Sequence, residues 1–431
     1  MSPKAKKQKV FQAPRGMRDI LPDEQIYWRK FVKVAEDLAE DYGFQKIETP
    51  ILEDAELFTR GTGASSDIVT KQMYTLKTAG GDTLALRPEG TPGVVRAYLE
   101  NGLVNLPQPL KLYYYGPMFR HENPQAGRYR QFFHFGLEAI GGKEAVIDAQ
   151  IIQWCFNFLK AVGLKKVNVQ INSLGCHQCR PSYRRALLDY YRYRKNRICP
   201  DCRRRMQENP LRLLDCKEEK CQPIKAQAPA LIDHLCEECH AHFKEVLEFM
   251  DELEIPYFLN NALVRGLDYY TKTVFEFFWE EGEVAAQTAL GGGGRYDNLM
   301  KIFGGKATPA VGVALGVDRI IYLMKKEQIK IAPFYNPKVF LVQLGNRAKR
   351  KSMKLFETLQ QEGISAAESL SRDSIKAQLK IADRLGVKLA LILGQQEALE
   401  NTVIIRDMQT GEQETVPQEK IIEELKKRFK R

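Results

Sequence analysis

Apolar residues near the start of the chain recur every three or four positions, the spacing of an amphipathic helix. Gly43 follows them as a stop signal. The next stretch, FQKIETPILED, reads as a short extended segment interrupted by Pro50, which suits a strand at a sheet edge or a subunit contact. The predicted helix face consists of Trp28, Phe31, Val32, Ala35, Leu38, Ala39 and Tyr42.

An alternating pattern between residues 110 and 140 predicts an antiparallel hairpin, in which KLYYYGPMFRHE pairs with RYRQFFHFGLEAIG through the turn NPQAG. Side chains two apart share a face of a strand. Phe133, Phe135, Leu137 and Ala139 therefore form a core face, and Phe132, His134, Gly136 and Glu138 form the opposite one. A glycine inside a strand often marks close approach by a ligand or another backbone. We interpret the second face as the floor of a site for a small polar molecule; a solvated polar face is the alternative.

On the partner strand, Arg120 and Glu122 are expected to share one face. Arginine offers a planar fork that matches phosphate. Arg128 and the other arginines of the turn would add charge over the same site.

The end of the chain alternates strand-like and helix-like segments: VFLVQL, AKRKSMKLFETLQQ, SIKAQLKIADRLG, KLALILG and TVIIRDM. This order predicts a small α/β domain. Further β-rich segments, TKTVFEFFW and AVGVALG, precede a stretch that resembles a linker. We expect a catalytic core at 1–172 and 243–326, an insertion at 173–242, a linker at 327–337 and a C-terminal domain at 338–431.

The length and charge of the chain bear on its number of domains, its location in the cell and its partners. A chain of 431 residues is too long for one core. Its first residues are basic but lack the apolar region of a secretory signal, and no run approaches the ~18 apolar residues of a membrane span. We therefore expect a cytoplasmic protein. A net charge of +11 suggests a polyanion partner such as nucleic acid, although a generic basic surface would give the same count.

Three further stretches carry candidate chemistry. In LRPEGTPG, Glu89 and Thr91 lie at a turn into a helix, where an exposed carboxylate and hydroxyl could receive an ammonium group. The four glycines 291–294 allow a backbone to lie flat against a nucleotide, although they match no phosphate-loop spacing. Arg319 falls in the first turns of a predicted helix, where a cation is unfavourable unless an anion binds there.

Eight of the nine cysteines lie in the insertion. This number, with three CxxC pairs, would suit two tetrahedral four-sulfur zinc sites, and reduced structural thiols are the alternative. The candidate ligands are Cys176, Cys179, Cys199, Cys202, Cys216, Cys221, Cys236 and Cys239.

The insertion is also rich in arginine and tyrosine, a combination that suits an RNA backbone with stacking on bases. A solvated basic helix is the alternative. The stretch includes Arg180, Arg184, Arg185, Arg192, Arg194, Lys195, Arg197 and Arg203 to Arg205 among Tyr183, Tyr190, Tyr191 and Tyr193.

Taken together, these motifs resemble those of class II aminoacyl-tRNA synthetases, and specifically of histidyl-tRNA synthetases. The three class II motifs resemble YGFQKIETPILED, FRHENPQAGRYRQFFHFGLE and GVALGVDRI, and two stretches specific to the histidine enzymes resemble LVRGLDYYTKTVFEF and ALGGGGRYD. The resemblance implies an α+β catalytic domain on an antiparallel sheet, the class II fold, with an insertion domain and a C-terminal α/β anticodon-binding domain.

The resemblance also implies a reaction. Histidine would be joined to ATP, with Mg²⁺ as cofactor, and then moved to tRNA(His) by a homodimer with no membrane contact. Arg120 and Arg265 would hold the α-phosphate and Arg319 the terminal phosphate, whereas Glu122 and Arg128 would surround the adenine and the γ-phosphate. Gly292 and Gly294 would border ATP. The residues implied to bind histidine are Glu89, Thr91, His134, Glu138, Tyr269 and Tyr270.

His134 departs from the family pattern, which usually has glutamine at this position to help place the amino group of the substrate. A neutral imidazole can accept one hydrogen bond from an ammonium group, whereas a protonated one would repel it. His134 is therefore a tolerated substitute, a sign of altered affinity, or a ring that packs against the aromatics.

Two alternatives to a catalytic synthetase follow from the same residues. A non-catalytic, histidine-sensing regulatory relative would tend to lose the RGLDYY stretch or the C-terminal domain, and this chain retains both. A basic zinc-containing RNA-binding module would leave Arg120, Arg265 and Arg319 unexplained.

Overall fold

A computed structural model describes residues 11–64, 66–279, 289–332 and 336–429. The chain divides into two compact units, Met1–Ile331 and Ala332–Arg431, and each is described by itself. The basic residues 1–10 and residues 333–335 of the expected linker lie outside the described part.

The predicted first helix forms at Gln25–Asp41 and buries Trp28, Phe31, Ala35 and Ala39. Gly43 follows it with φ +79°. The helix and strand bounds of the first unit, numbered in chain order, are α1 (Gln25–Asp41), β1 (Gln45–Lys46), β2 (Leu52–Asp54), α2 (Ala55–Thr62), β3 (Thr75–Lys77), β4 (Thr83–Leu86), α3 (Thr91–Glu100), β5 (Leu110–Phe119), β6 (Gln131–Ile140), α4 (Ala145–Ala161), β7 (Val167–Ser173), α5 (Arg180–Arg192), α6 (Pro200–Glu208), α7 (Gln222–Ala226), α8 (Glu237–Glu252), β8 (Tyr257–Leu259), β9 (Thr271–Trp279), β10 (Ala289–Arg295), α9 (Leu299–Ile302), β11 (Ala310–Gly316) and α10 (Val317–Lys326).

Eight of these strands form one sheet in the order β1-β5-β6-β11-β10-β9-β7-β8. The six central strands pair antiparallel, and β1 and β8 add parallel to the two edges. A smaller sheet has the order β2-β4-β3. The predicted antiparallel sheet and the edge position predicted for the segment after α1 are both confirmed.

The predicted hairpin is formed by β5 and β6, paired from Leu110↔Ile140 to Phe119↔Gln131. Its core face is confirmed, because Phe135, Leu137 and Ala139 are fully buried in the main hydrophobic cluster. The prediction was wrong for Arg120 and Glu122: β5 ends at Phe119, and both residues lie in the loop. The tight turn from Gln125 to Arg128, closed by two backbone hydrogen bonds, shortens the strand.

The insertion shares a hydrophobic core with the eight-stranded sheet. Tyr183, Leu187 and Leu213 belong to the same cluster as Tyr114 and Tyr270. Its expected limits fall inside regular elements, since Ser173 ends β7 and residue 242 lies in α8. The described insertion is therefore packed into the first unit.

The second unit is the predicted α/β domain, with every predicted strand and helix present. The bounds are β12 (Val339–Gln343), α11 (Gly345–Gln361), β13 (Ala366–Glu368), α12 (Ile375–Arg384), β14 (Leu389–Leu393), α13 (Gln395–Glu400), β15 (Thr402–Asp407), β16 (Gln413–Pro417) and α14 (Ile421–Phe429). The sheet order is β13-β12-β14-β15-β16, with the first three strands parallel. Side chains alternate along β12: Val339 and Leu341 join one cluster, whereas Phe340 and Val342 join another on the opposite face.

Among the described residues, no helix has both the length and the apolar character needed to cross a bilayer.

Candidate active site

The floor of the site is one register row across the large sheet. Successive pairs place Tyr114 opposite Gly136, then Ala314, Gly292, Glu276 and Gln170 on the next strands. The middle of this row carries only glycine and alanine, so the backbone forms a shallow trough between larger side chains. The Tyr114 ring and the Arg265 guanidinium lie close to its two glycines.

A cleft of about 610 Å³ lies over this floor. Two residues predicted for the site are not in its wall: Glu138 lies beneath it, and Gly294 is buried in β10. The predicted residues that line the cleft are Glu89, Thr91, Arg120, Glu122, Arg128, His134, Arg265, Tyr269, Tyr270, Gly292 and Arg319.

The cleft gathers several arginines. Arg120 is held by a hydrogen bond from Nε to the Pro88 carbonyl (2.9 Å), and Arg319 donates from Nη1 to the Ala289 carbonyl (2.7 Å). Arg265 forms an ion pair with Glu276. Burial lowers the pKa of Arg319 to about 10, and the nearby charges of Arg128 and Arg120 act in the same direction. This concentration of positive charge favours a polyanionic ligand.

Glu89 also lines the cleft, and two hydrogen bonds orient its carboxylate. Thr62 donates to one carboxylate oxygen (2.8 Å) and Tyr269 to the other (2.7 Å). We expected Glu89 and Thr91 at an exposed turn; Thr91 does begin α3, but both side chains are buried, and Thr62 and Tyr269 contact Glu89. Burial raises the pKa of Glu89, and the two hydrogen bonds partly offset this effect.

Glu138 is fully buried under Thr91. The Thr91 hydroxyl donates to it at 2.6 Å, and the Tyr296 hydroxyl donates to its other oxygen at 2.5 Å. Burial raises the pKa of Glu138 to about 8 despite these hydrogen bonds. Glu138 therefore fixes the position of a residue in the cleft wall.

His134 borders the cleft as the strand pattern predicted. Its Nδ1 atom is buried and has no hydrogen-bond partner among the described residues. Burial and the charges of Arg120 and Arg319 hold the pKa of His134 well below its ordinary value. The ring is therefore neutral and offers an acceptor.

Two strand glycines have steric reasons to be glycine. A Cβ on Gly292 would lie 2.5 Å from the Arg265 guanidinium and 2.7 Å from the Phe275 carbonyl. A Cβ on Gly136 would meet the Tyr114 ring at 2.2 Å. The close approach predicted at Gly136 is therefore made by a side chain of the neighbouring strand.

Several residues of the site were missed in the sequence. Glu276, the partner of Arg265, had a signal, because it is the one carboxylate in the apolar strand TKTVFEFFW. Thr62 contacts Glu89 and Tyr296 contacts Glu138, each from a distant part of the chain. Nothing in the sequence pattern indicated either contact. Residues of the insertion, including Arg212 and Cys216, also line the cleft.

The eight cysteines of the insertion form two groups, each with its sulfurs within 4.8 Å of one another: Cys176, Cys179, Cys236 and Cys239, and Cys199, Cys202, Cys216 and Cys221. Measured Sγ–Sγ separations are 3.7 Å and 3.8 Å in the first group and 3.8 Å in the second. Zn–S bonds of about 2.3 Å in a tetrahedron place sulfurs about 3.8 Å apart, whereas a disulfide requires about 2.05 Å. Each group therefore has the spacing that could hold one metal ion.

The tyrosines of the basic stretch differ in exposure, and two of the four are buried. Tyr183 and Tyr191 are fully buried in the core shared with the catalytic sheet, and the Tyr190 hydroxyl donates to the Ile224 carbonyl. Tyr193 is 84% exposed. The prediction of base stacking was therefore wrong for Tyr183 and Tyr191. Their rings fill the apolar face with which α5 packs against the core.

Comparison with known proteins decides the family. A family model described as "Histidyl-tRNA synthetase" matches residues 16–320, and one described as "Anticodon binding domain" matches residues 338–428. The chain belongs to the histidyl-tRNA synthetase family. The fold class expected from the sequence, with its C-terminal anticodon-binding domain, is thereby confirmed.

Curated relatives of this histidyl-tRNA synthetase family span nearly the whole chain. A protein of Dehalococcoides mccartyi named histidine--tRNA ligase is 45% identical and covers 97% of this chain and 100% of its own. A protein of Acetivibrio thermocellus with the same name is 43% identical and covers 96% of this chain and 99% of its own. Among solved structures, apo histidyl-tRNA synthetase of S. aureus matches with a TM-score of 0.81 at 36% identity, covering 97% of this chain and 100% of its own.

Proposed function

We propose that this chain attaches L-histidine to tRNA(His) in two steps, through a histidyl-adenylate, with release of pyrophosphate and AMP. The observation that carries this proposal is the single cleft that joins the arginines Arg120, Arg265 and Arg319 to the carboxylate Glu89. A cluster of cations suits ATP phosphates, and a buried carboxylate suits the ammonium group of an amino acid.

The arginines stabilise charge on phosphorus in this proposal. Arg120 and Arg265 hold the α-phosphate on either side of the trough, and Arg319 holds the terminal phosphate. Because the reaction consists of displacement at a charged centre, fixed cations and correct placement supply most of the catalysis. Glu122 and Arg128, on the turn above, border the adenine and the γ-phosphate.

Histidine lies over Glu89 and Thr91, whose oxygens receive its ammonium group together with the neutral ring of His134. Tyr269 fixes Glu89 by its hydrogen bond. Tyr270 recognises the imidazole, and Glu138 acts from beneath the wall by holding Thr91 in place. A polar partner for the ring rejects apolar isosteres, which would leave that partner without a hydrogen bond.

Gly292 borders ATP in this proposal, whereas Gly294, predicted beside it, is buried in β10 outside the cleft and gives ATP no surface. Mg²⁺ in nucleotide sites takes phosphate oxygens and one or two carboxylates. Glu122 and Glu276 line the cleft beside the arginines and are partly exposed, so the donor set fits. When bound, the ion would neutralise phosphate charge.

Histidine-dependent exchange of pyrophosphate into ATP, followed by charging of tRNA(His), tests the proposal. We expect exchange with histidine and with no other amino acid. Absence of exchange with every amino acid would favour the regulatory relative, which the ligase names of the full-length curated relatives do not support.

We also propose that each cysteine group holds a structural Zn²⁺. Backbone N–H groups donate to the sulfurs, as from Cys236 to Cys179 Sγ (3.1 Å) and from Cys202 to Cys199 Sγ (3.3 Å), which suits thiolates. Purified protein should contain two zinc ions per chain, and Cys155→Ser, outside both groups, should keep both. Fewer than two ions per chain under non-chelating conditions would contradict the proposal. None of the nine cysteines, all in the described part of the chain, forms a disulfide, which suits the cytoplasmic location proposed for this chain.

A homodimer and an RNA clamp complete the proposal. Ile51 and Leu52, after the edge strand β1, are each 44% exposed and suit a contact with a second copy, which light scattering can test.

The proposed RNA clamp is the basic stretch of the insertion, where Arg203 and Arg204 are exposed on α6. Their double replacement by Glu should weaken tRNA binding about tenfold and reduce its salt dependence.

We also propose that the insertion spans residues 173–242 and the linker residues 327–337.

A further inference from the structure

The Cys199, Cys202, Cys216 and Cys221 group lies beside the cleft, and one of its own ligand residues, Cys216, lines it. Cys202 belongs to α6, and Cys216 ends the 3-10 helix Pro210–Asp215. An ion at this group would therefore fix both ends of the segment 203–215. We call residues 209–216 the insertion wall; part of it faces the cleft and part faces the catalytic sheet.

The insertion wall is attached to the catalytic core at two points. Arg212, 8% exposed, donates to the Asp67 carboxylate at 2.9 Å, and Arg205 lies 3.6 Å from the same carboxylate. Asn209 Nδ2 donates to Asp268 Oδ1 at 2.9 Å. Asp67 lines the cleft, and Asp268 lies in the loop that carries Arg265, Tyr269 and Tyr270.

From Asn209, a continuous chain of hydrogen bonds reaches the carboxylate proposed to receive the ammonium group. Asp268 N donates to the Thr62 carbonyl (3.1 Å), and the Thr62 hydroxyl donates to Glu89 (2.8 Å). Tyr269, next to Asp268 in sequence, donates to the other oxygen of Glu89 (2.7 Å). Both hydrogen bonds that orient Glu89 therefore come from residues that Asp268 positions.

Packing around Asp268 leaves this arrangement little freedom. A Cβ on Gly63, next to Thr62, would lie 2.2 Å from the Asp268 carboxylate. A shift of Asp268 would therefore also displace Thr62. Beneath the wall, a small cavity of about 150 Å³ is lined by Asn209, Arg212, Arg265 and Tyr270, so the wall and the Arg265 loop share one surface.

We infer that the metal site formed by Cys199, Cys202, Cys216 and Cys221 positions the histidine pocket, through Asn209 and Asp268, in addition to stabilising the insertion. Asn209 is a positioning residue and does not touch the substrate. The inference rests on the proposed ligase activity and on zinc at this group.

Asn209→Ala in the full-length chain tests the link while leaving every cysteine in place. We expect two zinc ions, a KM for histidine in pyrophosphate exchange raised about five- to tenfold, and a kcat and a KM for ATP within about twofold of wild type. Asn209→Gln, which can still donate to Asp268, should restore much of the histidine affinity. Lys220→Ala, exposed on the same insertion and outside the cleft lining, is the matched control.

Cys221→Ser tests the ion. We expect the loss of one zinc ion and a rise in the histidine KM at least as large as that of Asn209→Ala. A wild-type KM for Asn209→Ala, or an unchanged KM in a Cys221→Ser protein that has lost one ion, would overturn the inference. Absence of exchange in wild type would instead contradict the proposed function, and absence of zinc in wild type would contradict the proposed metal.

Discussion

Burial gives Glu138 a protonation state that the unfolded chain does not share. The carboxyl ordinarily titrates near 4.5, whereas its pKa in the folded protein is about 8. Between these values the folded protein holds a proton that the unfolded chain releases, so the folded state loses stability as pH rises from 4.5 to 8. This loss is at most about 1.4 kcal/mol per pH unit.

Glu138→Gln should remove that pH dependence, because the amide does not titrate. We expect the variant to unfold with a higher free energy than wild type at pH 8 and with a similar one at pH 5. Denaturant unfolding followed by tryptophan fluorescence measures this, since Trp28, Trp154 and Trp279 all lie in the first unit. A difference between variant and wild type that does not change with pH would contradict it. The same variant should activate histidine poorly.

His134 should contribute to substrate affinity as a neutral acceptor. A hydrogen bond to a charged group contributes about 1.5–3 kcal/mol, so His134→Ala should raise the histidine KM about tenfold or more. His134→Gln, which supplies a carbonyl acceptor, should stay within about threefold of wild type. His121→Ala, on an exposed ring outside the cleft lining, is the control. If His134→Ala behaves as wild type, the ring only packs against its neighbours.

Strand β10 must stay flat for the trough and for Arg265. Gly292→Ala places a methyl group against the Arg265 guanidinium and the Phe275 carbonyl. We expect a loss of pyrophosphate exchange of about 100-fold and a destabilisation of about 1–3 kcal/mol, because a packed backbone cannot move aside. Gly80→Ala, whose added Cβ would have ordinary contacts of 3.7 Å, should be silent in both assays. Equal activity of the two variants would contradict this account.

Local periodicity made the hairpin β5–β6 predictable, since a period of two determines which of Phe135 and His134 enters the core. The end of β5 at Phe119 was not predictable, because it depends on how tightly the turn at Gln125 closes. The pairing of Cys176 with Cys236, sixty residues away, depends on where α8 returns to the sheet. Neither the spacing of the cysteines nor their number contains that information.

Contacts across the whole molecule set the remaining part of the site. Glu89 was predicted from its own motif, but Thr62 and Tyr269, which orient it, lie 27 and 180 residues away. The insertion could be recognised by composition, yet its docking through Arg212 and Asp67 joins residues 145 apart. Such pairings arise from packing of complete elements, so they become visible only in the folded chain.

The two units should also separate functionally. Every described residue of the cleft, and both hydrophobic clusters beneath it, lie in Met1–Ile331, whereas the second unit has its own cores on the two faces of its sheet. Because each unit buries its own apolar surface, each should fold alone. A chain truncated after Ile331 should keep histidine-dependent exchange within about threefold of the full chain. Its affinity for tRNA(His) should fall at least about tenfold, because the matched anticodon-binding domain is missing. Circular dichroism of both fragments provides the folding control. Loss of exchange in a folded truncated chain would mean that the second unit contributes to the cleft, and full tRNA affinity would mean that RNA is held by the first unit alone.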